Sequence, residues 1–303
     1  MLLSLRLGEE CNKNCPNCDY MDIKQPKHIN YNLFQKQSKM VFEIINRFGL
    51  DYSITGGEPG LISTEIFDHL FSLTDKNTTI ASNGLFMDNK LHLKYDERIK
   101  CIYYNCGSIT DNKTSKYNYE KMEYYLLIDS SNLKFLKQYL LKNSDTTFTI
   151  KLVEQRGIHI PPLLSLDDLY SLLSILSCAT NYDQNIIGLL QNYIKYIENN
   201  TIDSIRELCS KKCNTLQIDF VHNIIRKCYK SYTRFPTIEL TKDNLIKAIS
   251  NKIPEFNNFD DVCKTCTYLY KFSNISTEIV NRLKLSRHFD YYFDNLKYGV
   301  TCE

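Results

Sequence analysis

Two sets of cysteines in this 303-residue chain have the type and spacing for chemistry. Cys11, Cys15 and Cys18 form a C-x3-C-x2-C run, and Cys213, Cys228, Cys263 and Cys266 form C-x14-C followed by C-x2-C. Thiolates this close together can surround one metal centre, and soft sulfur selects zinc or an iron–sulfur cluster over magnesium or calcium. Spacing alone leaves both metals open, the first run as an incomplete zinc site and the second as a four-cysteine one. Three thiolates on a 4Fe-4S cluster leave one iron without a protein ligand and open to a small molecule. A third element is Gly56-Gly57-Glu58-Pro59, where two glycines admit a close backbone approach and Glu58 offers a carboxylate to an amino group.

Twelve cysteines in a chain without Trp would suit a secreted, disulfide-held protein. The opening MLLSLRLGEE argues against that, because Arg6 and two acids interrupt it and no targeting helix is expected. No run approaches the roughly 18 to 20 apolar residues that span a bilayer, and mean hydropathy is negative. A cytoplasmic address is therefore expected, where disulfides rarely persist. With 43% hydrophobic and 24% charged residues the composition is that of a globular protein. Lys and Arg number 37 against 35 acids, and a net charge of +2 creates no field for a polyanion, so neither nucleic acid nor membrane is expected as a partner.

The elements that must position these residues can be read from periodicity. Six strand-like runs, 2–8, 51–55, 77–82, 99–105, 123–129 and 147–154, alternate with helical stretches, including 31–48, 63–73 and 132–142. Repeated strand–helix units predict an α/β fold, a parallel sheet with helices outside, and six units make a partial (βα)6 TIM-like barrel. Chemistry in such barrels belongs at the C-terminal ends of the strands. In order, those ends read as the cysteine loop, GGEP, Ser82-Asn83-Gly84, Asn105-Cys106-Gly107-Ser108, Asp129-Ser130-Ser131 and Glu154-Gln155-Arg156-Gly157. Beyond residue 180 the alternation stops. Residues 184–208 read as bridging helices, and 215–228 as a hairpin turning at His222-Asn223, Asn being one of the few non-glycine residues that accept a left-handed turn.

Together, C-x3-C-x2-C after the first strand and GGEP after the second resemble the radical S-adenosylmethionine (SAM) superfamily. The resemblance implies that Cys11, Cys15 and Cys18 ligate a 4Fe-4S cluster whose open iron chelates SAM. It implies also that SAM is cleaved to methionine and a 5'-deoxyadenosyl radical, which abstracts a substrate hydrogen. Gly56, Gly57, Glu58 and Pro59 would hold the methionine moiety, and Ser82, Asn83, Asn105, Asp129 and Glu154 are candidates for the ribose and carboxylate. One departure is Asn17, where the family usually has an aromatic residue; Tyr20 is the substitute candidate on the adenine side.

The second cysteine group resembles the auxiliary-cluster domains SPASM and twitch. Their pattern places a glycine about ten residues after a cysteine and four before the next; here nine residues separate Cys213 from Asn223 and four separate Asn223 from Cys228. The shorter, one-cluster twitch form fits better, with a second 4Fe-4S cluster on Cys213, Cys228, Cys263 and Cys266; Cys209 is an alternative to Cys213. The expected organisation is a barrel over 1–180, a helical linker over 181–208, a small α+β cysteine-rich twitch-like domain over 209–275 and a C-terminal helix over 276–303. Cys101 and Cys178 lie in apolar runs and read as buried core thiols, whereas Cys106 is a candidate hydrogen donor to a substrate radical. Lys151 is expected to point into the barrel, to an anionic substrate group or to a structural salt bridge.

Radical SAM enzymes with such domains divide by substrate. The first expectation is modification of a ribosomally synthesised peptide by crosslink, thioether or epimerisation. The alternative is a dehydrogenase acting on a small molecule such as an amino sugar, and a non-catalytic zinc-binding module is the reading from another class. An enzyme of this kind also needs a reducing partner such as flavodoxin or ferredoxin.

Overall fold

The computed structural model describes residues 2–13, 15, 18, 26–105, 109, 117, 119–153, 163–200, 202, 215–227, 236–250, 252, 253 and 256. The elements run β1 (Leu2–Arg6), α1 (Tyr31–Phe48), β2 (Asp51–Thr55), α2 (Thr64–Ser72), β3 (Thr78–Ser82), the short α3 (Leu85–Asp88) and α4 (Leu91–Lys94), and β4 (Ile99–Asn105). There follow β5 (Met122–Ile128), α5 (Leu136–Lys142), β6 (Phe148–Leu152), α6 (Leu166–Ser177), α7 (Asn185–Glu198), β7 (Thr215–Asp219), β8 (Ile224–Arg226), β9 (Thr237–Glu239) and α8 (Lys242–Ile249). Among the described residues the strands form one open nine-stranded sheet in the order β6-β5-β4-β3-β2-β1-β7-β8-β9. β1 to β6 are parallel, as the strand–helix alternation requires.

Local sequence explains the boundaries. Asn30 caps α1 by accepting from the Leu33 N–H at 3.2 Å, and Gly49 ends it at φ +63°, a left-handed conformation that suits glycine. α1 buries Phe34, Val41, Phe42, Ile44 and Ile45, each contributing about 1.5–3 kcal/mol against the exposed state before entropy is charged. The helix expected over 132–142 begins later, at Leu136, because Asp129 Oδ1 accepts from the N–H groups of Ser131 and Asn132 and holds the chain in a turn. α6 is an element the periodicity did not single out; its capping box, Ser165 with Asp168, is a legible start signal. Of the bridging helices expected over 184–208, α7 covers Asn185–Glu198, and 201 and 203–208 lie outside the described residues.

The sheet has two unlike faces. Leu3, Leu5, Leu7, Tyr52, Ile54, Ile80 and Ile102 join the helix-facing core with α1 and α2, and Leu126, Ile128, Phe148, Ile150 and Leu152 join a second core under α5 to α7. The alternate positions, including Ser4, Arg6, Ser53, Thr55, Tyr103, Tyr125, Thr149, Lys151, Gln217 and Asp219, therefore face the concave side. That side carries the polar groups of the strands together with the rings of Tyr103 and Tyr125.

The hairpin forms as the sequence predicts, with Asn223 at φ +58°. β7 pairs in parallel with β1, Arg6 opposite Asp219, and β8 and β9 continue the sheet. The reason is the same alternation, since Leu216, Ile218 and Phe220 enter the core of the barrel half. Cys209, Cys213, Cys228, Cys263, Cys266 and the helix expected over 276–303 lie outside the described residues. Among the described residues no helix is long and apolar enough to cross a membrane.

Candidate functional site

Both motifs leave adjacent parallel strands at the same edge of the sheet, and the backbone joins them. β1 ends at Arg6 and β2 at Thr55, which are register partners. Beyond them the Gly57 N–H donates to the Gly8 carbonyl at 2.9 Å and the Glu58 N–H donates to the Glu10 carbonyl at 2.6 Å. The GGEP loop thus lies against the segment that leads into Cys11. Glycine is required twice for different reasons: Gly56 sits at φ +131°, and a Cβ on Gly57 would fall 1.9 Å from the Glu10 carbonyl oxygen.

Glu58 is buried and its carboxylate ties three segments together. Oε1 accepts from Ser82 Oγ at 2.7 Å, the Gly60 N–H at 2.9 Å and the Phe86 N–H at 3.2 Å; Oε2 accepts from the Asn83 N–H at 2.7 Å. These contacts anchor the GGEP loop to the end of β3 and the start of α3. Ser82 is spent in the same way, donating to Glu58 and accepting from the Gly84 N–H at 3.0 Å. Pro59, also buried, starts the one-turn helix Pro59–Leu61, where its missing N–H costs nothing.

Asn83 reaches the cysteine loop. Its Nδ2 donates to Asn12 Oδ1 at 2.8 Å and lies 3.4 Å from Cys11 Sγ, while Lys13 Nζ donates to the Asn83 carbonyl at 2.8 Å. The Lys13 N–H also approaches Cys11 Sγ, at 3.5 Å. Cys11, Cys15 and Cys18 are half-buried, and the Cys18 N–H donates to the Cys15 carbonyl at 3.0 Å. Among the described residues no three His, Cys, Asp or Glu side chains are gathered tightly enough to hold a metal ion, these cysteines included. Placement on one loop and the all-sulfur donor set fit an iron–sulfur cluster, and convergence of such ligands ordinarily accompanies metal binding.

The remaining candidates divide. Asn105 ends β4 on the concave side, half-buried. Asp129 is buried, and its Oδ1 takes the turn contacts to Ser131 and Asn132 described above. Tyr20, Cys106 and Glu154 lie outside the described residues. Cys101 is a buried free thiol as expected, its pKa pushed up by burial and by the neighbouring Glu123. Cys178 departs from expectation: it is half-buried and disulfide-bonded.

Sequence reading missed a buried charge network beside the site. Arg6, fully buried, donates through Nη1 to Asp219 Oδ2 at 2.8 Å and through Nη2 to Glu9 Oε1 at 2.6 Å. Arg226 Nη2 donates to Asp219 Oδ2 at 3.1 Å. His222 lies between two carboxylates, Nδ1 3.1 Å from Asp219 Oδ2 and Nε2 3.4 Å from Glu9 Oε1. Burial pushes the Asp219 carboxyl up, but the hydrogen bond from His222 and the charges of Arg6 and Arg226 outweigh it and hold its pKa below the ordinary value. The available signal was a charge at the end of each of two apolar strands, LLSLR and TLQID. Their pairing spans 213 positions and is invisible locally.

The contact between the two loops gives a test. Gly57→Ala is expected to force them apart, because the neighbours of the new Cβ are backbone atoms of Glu9 and Glu10. Loss of two hydrogen bonds at about 1 kcal/mol each, plus strain, predicts destabilisation of at least about 2 kcal/mol. Gly188→Ala in α7 is the control: nothing lies within 4 Å of its Cβ position, and a helical Gly-to-Ala change should add about 0.8–1 kcal/mol. Denaturant melts of the two variants should move in opposite directions.

No family model matches the chain, and no curated protein matches it in sequence. Solved structures do match in fold. Native anSMEcpe with bound AdoMet (SAM) and a Cp18Cys peptide has a TM-score of 0.57 at 12% identity, covering 93% of this chain and 98% of that one. SuiB of Streptococcus suis bound to S-adenosylmethionine has a TM-score of 0.54 at 11% identity, covering 89% of this chain and 73% of that one. At such identity the likeness is one of architecture, and it extends over nearly the whole chain. The open sheet, parallel from β1 to β6, thus shares its architecture with anSMEcpe and SuiB.

Proposed function

We propose that the chain is a radical SAM enzyme that modifies a ribosomally synthesised peptide. The observation that carries the enzymatic part is the direct hydrogen bonding of the GGEP loop to the root of the cysteine loop at the C-terminal edge of the sheet. Cys11, Cys15 and Cys18 would hold a 4Fe-4S cluster. When bound, the cluster supplies the electron for reductive cleavage of SAM to methionine and a 5'-deoxyadenosyl radical.

The chain's own residues bind and orient. The backbone of Gly56 to Glu58 would receive the methionine end of SAM, while the Glu58 carboxylate keeps that loop fixed to β3 and α3. Asn83 donates toward the Cys11 sulfur, and Asn105 stands on the concave face for the ribose side. Deeper on that face, Lys151 Nζ lies 3.7 Å from the Tyr125 ring centroid and 5.5 Å from that of Tyr103. This aromatic and cationic wall, on a sheet that is not closed, supports a peptide substrate, as does the Cp18Cys peptide bound to the architecturally similar anSMEcpe. Cys213, Cys228, Cys263 and Cys266 would ligate a second cluster of the twitch type, and a flavodoxin or ferredoxin in the cytoplasm would supply electrons.

Anaerobic purification followed by iron and sulfide analysis tests the reading, together with an assay for 5'-deoxyadenosine under reducing conditions. Brown protein carrying both iron and sulfide, and SAM cleavage, are expected. Zinc without iron would overturn it. Replacing Cys263 and Cys266 together by Ala should spare SAM cleavage and stop product formation; product formed by that variant would remove the second cluster from the proposal.

A further inference from the structure

The buried network joins two parts of the chain that chemistry would need to hold in register. Glu9 stands two residues before Cys11, and its carboxylate is divided between two jobs. Oε1 takes the Arg6 guanidinium, and Oε2 accepts from the Lys27 N–H at 2.8 Å. Lys27 follows the end of the cysteine loop, so one buried carboxylate closes the loop at its root, entry to exit. On the other side Asp219 closes the hairpin turn, its Oδ1 accepting from the Val221 N–H at 3.0 Å and the His222 N–H at 3.1 Å. Arg6 lies between the two carboxylates and reaches both with the two arms of one fork, a planar geometry that no other side chain offers. His222, at the tip of the hairpin, touches both acids as well.

Each carboxylate therefore has its charge answered by groups from the other segment. If the hairpin leaves, Glu9 loses His222 and Arg6 loses Asp219; removing a partner from a buried charge network is costly, so the loop root must rearrange with it. We propose that Arg6, Glu9 and His222 are positioning residues that make the geometry of the Cys11 loop depend on the docked β7–β8 hairpin, whose two ends lead to the cysteines expected to hold the second cluster. The role rests on the reading of Cys11 as a cluster ligand, but the coupling itself does not need a cluster to be measured.

The test uses the reduced, metal-free full-length chain and the rate of iodoacetamide alkylation at each cysteine, read by peptide mass spectrometry. Cys11 reports the loop, and Cys101, a buried free thiol on β4, reports global opening. His222→Ala is expected to speed alkylation of Cys11 by roughly tenfold, within the range of couplings between residues in one network, and to leave Cys101 unchanged. Glu9→Gln should do the same, and the double variant should be no faster than Glu9→Gln alone, because both act on one contact. Equal acceleration of Cys11 and Cys101 in both single variants, strictly multiplicative effects in the double variant, or no change at Cys11 would each overturn the proposal. Should the chain carry zinc, the labelling pattern would still be expected, so failure of the enzyme reading and failure of this inference give different results.

Discussion

Cys15→Ala is expected to abolish reductive cleavage of SAM while leaving the fold intact. On the proposed reading a 4Fe-4S cluster would need every thiolate of the loop, since three sulfurs already leave one iron without a protein ligand, and a methyl group donates nothing to iron. The same substitution costs the fold little: Cys15 is half-buried on a loop and stands outside both hydrophobic cores. Its carbonyl, which accepts from the Cys18 N–H, is retained in alanine. Melting of the metal-free variant should stay within about 0.5 kcal/mol of the parent. The measurement is 5'-deoxyadenosine formed per chain under dithionite, beside a denaturant melt. A variant that folds and still forms 5'-deoxyadenosine would refute the ligand assignment.

Asp219→Asn is expected to have the largest effect on stability. Removing one partner of a buried ion pair costs about 3–5 kcal/mol, because the charges left behind are neither solvated nor answered. Here Arg6 and Arg226 both lose the charge of their shared acceptor, and the amide nitrogen must face either the two guanidinium groups or the N–H groups of Val221 and His222. The pH dependence follows from the direction of the Asp219 shift. Its folded pKa lies below the reference value of 3.8, so its stabilisation is complete above the unfolded value and is lost as pH falls through the folded one. The gap between parent and variant should therefore hold from neutral pH to about pH 4 and narrow only in stronger acid. Denaturant melts at pH 7, 5 and 3 would show this; a gap that closed by pH 5 would mean that the carboxylate is not held down by its cationic neighbours.

These effects differ in how readable they were. The cysteine run and GGEP are contiguous signatures, and the six strands and α1 were legible because alternation and helical spacing are imposed within a few residues. Asn223 was legible too, as one of the few side chains that tolerate its left-handed turn. Less legible was what a polar side chain does. Glu58, Ser82 and Asp129 stand where ligand contacts were expected, yet their oxygens bind backbone and side-chain donors of neighbouring loops. A polar residue at a strand end must satisfy buried N–H groups whether or not a ligand arrives, and spacing does not distinguish the two demands.

By itself the sequence determined the two motifs, the order of the parallel strands and the left-handed turn of the hairpin, since each follows from residue types a few positions apart. Only the tertiary structure decided that the hairpin joins β1 as part of the same sheet, and that Arg6 meets Glu9 and Asp219 with His222 against both acids. The physical reason is burial: an Arg in a strand has no fixed partner until the sheet closes over it. Its partner is then set by strand register, Arg6 opposite Asp219, which depends on the whole hydrophobic pattern of both strands.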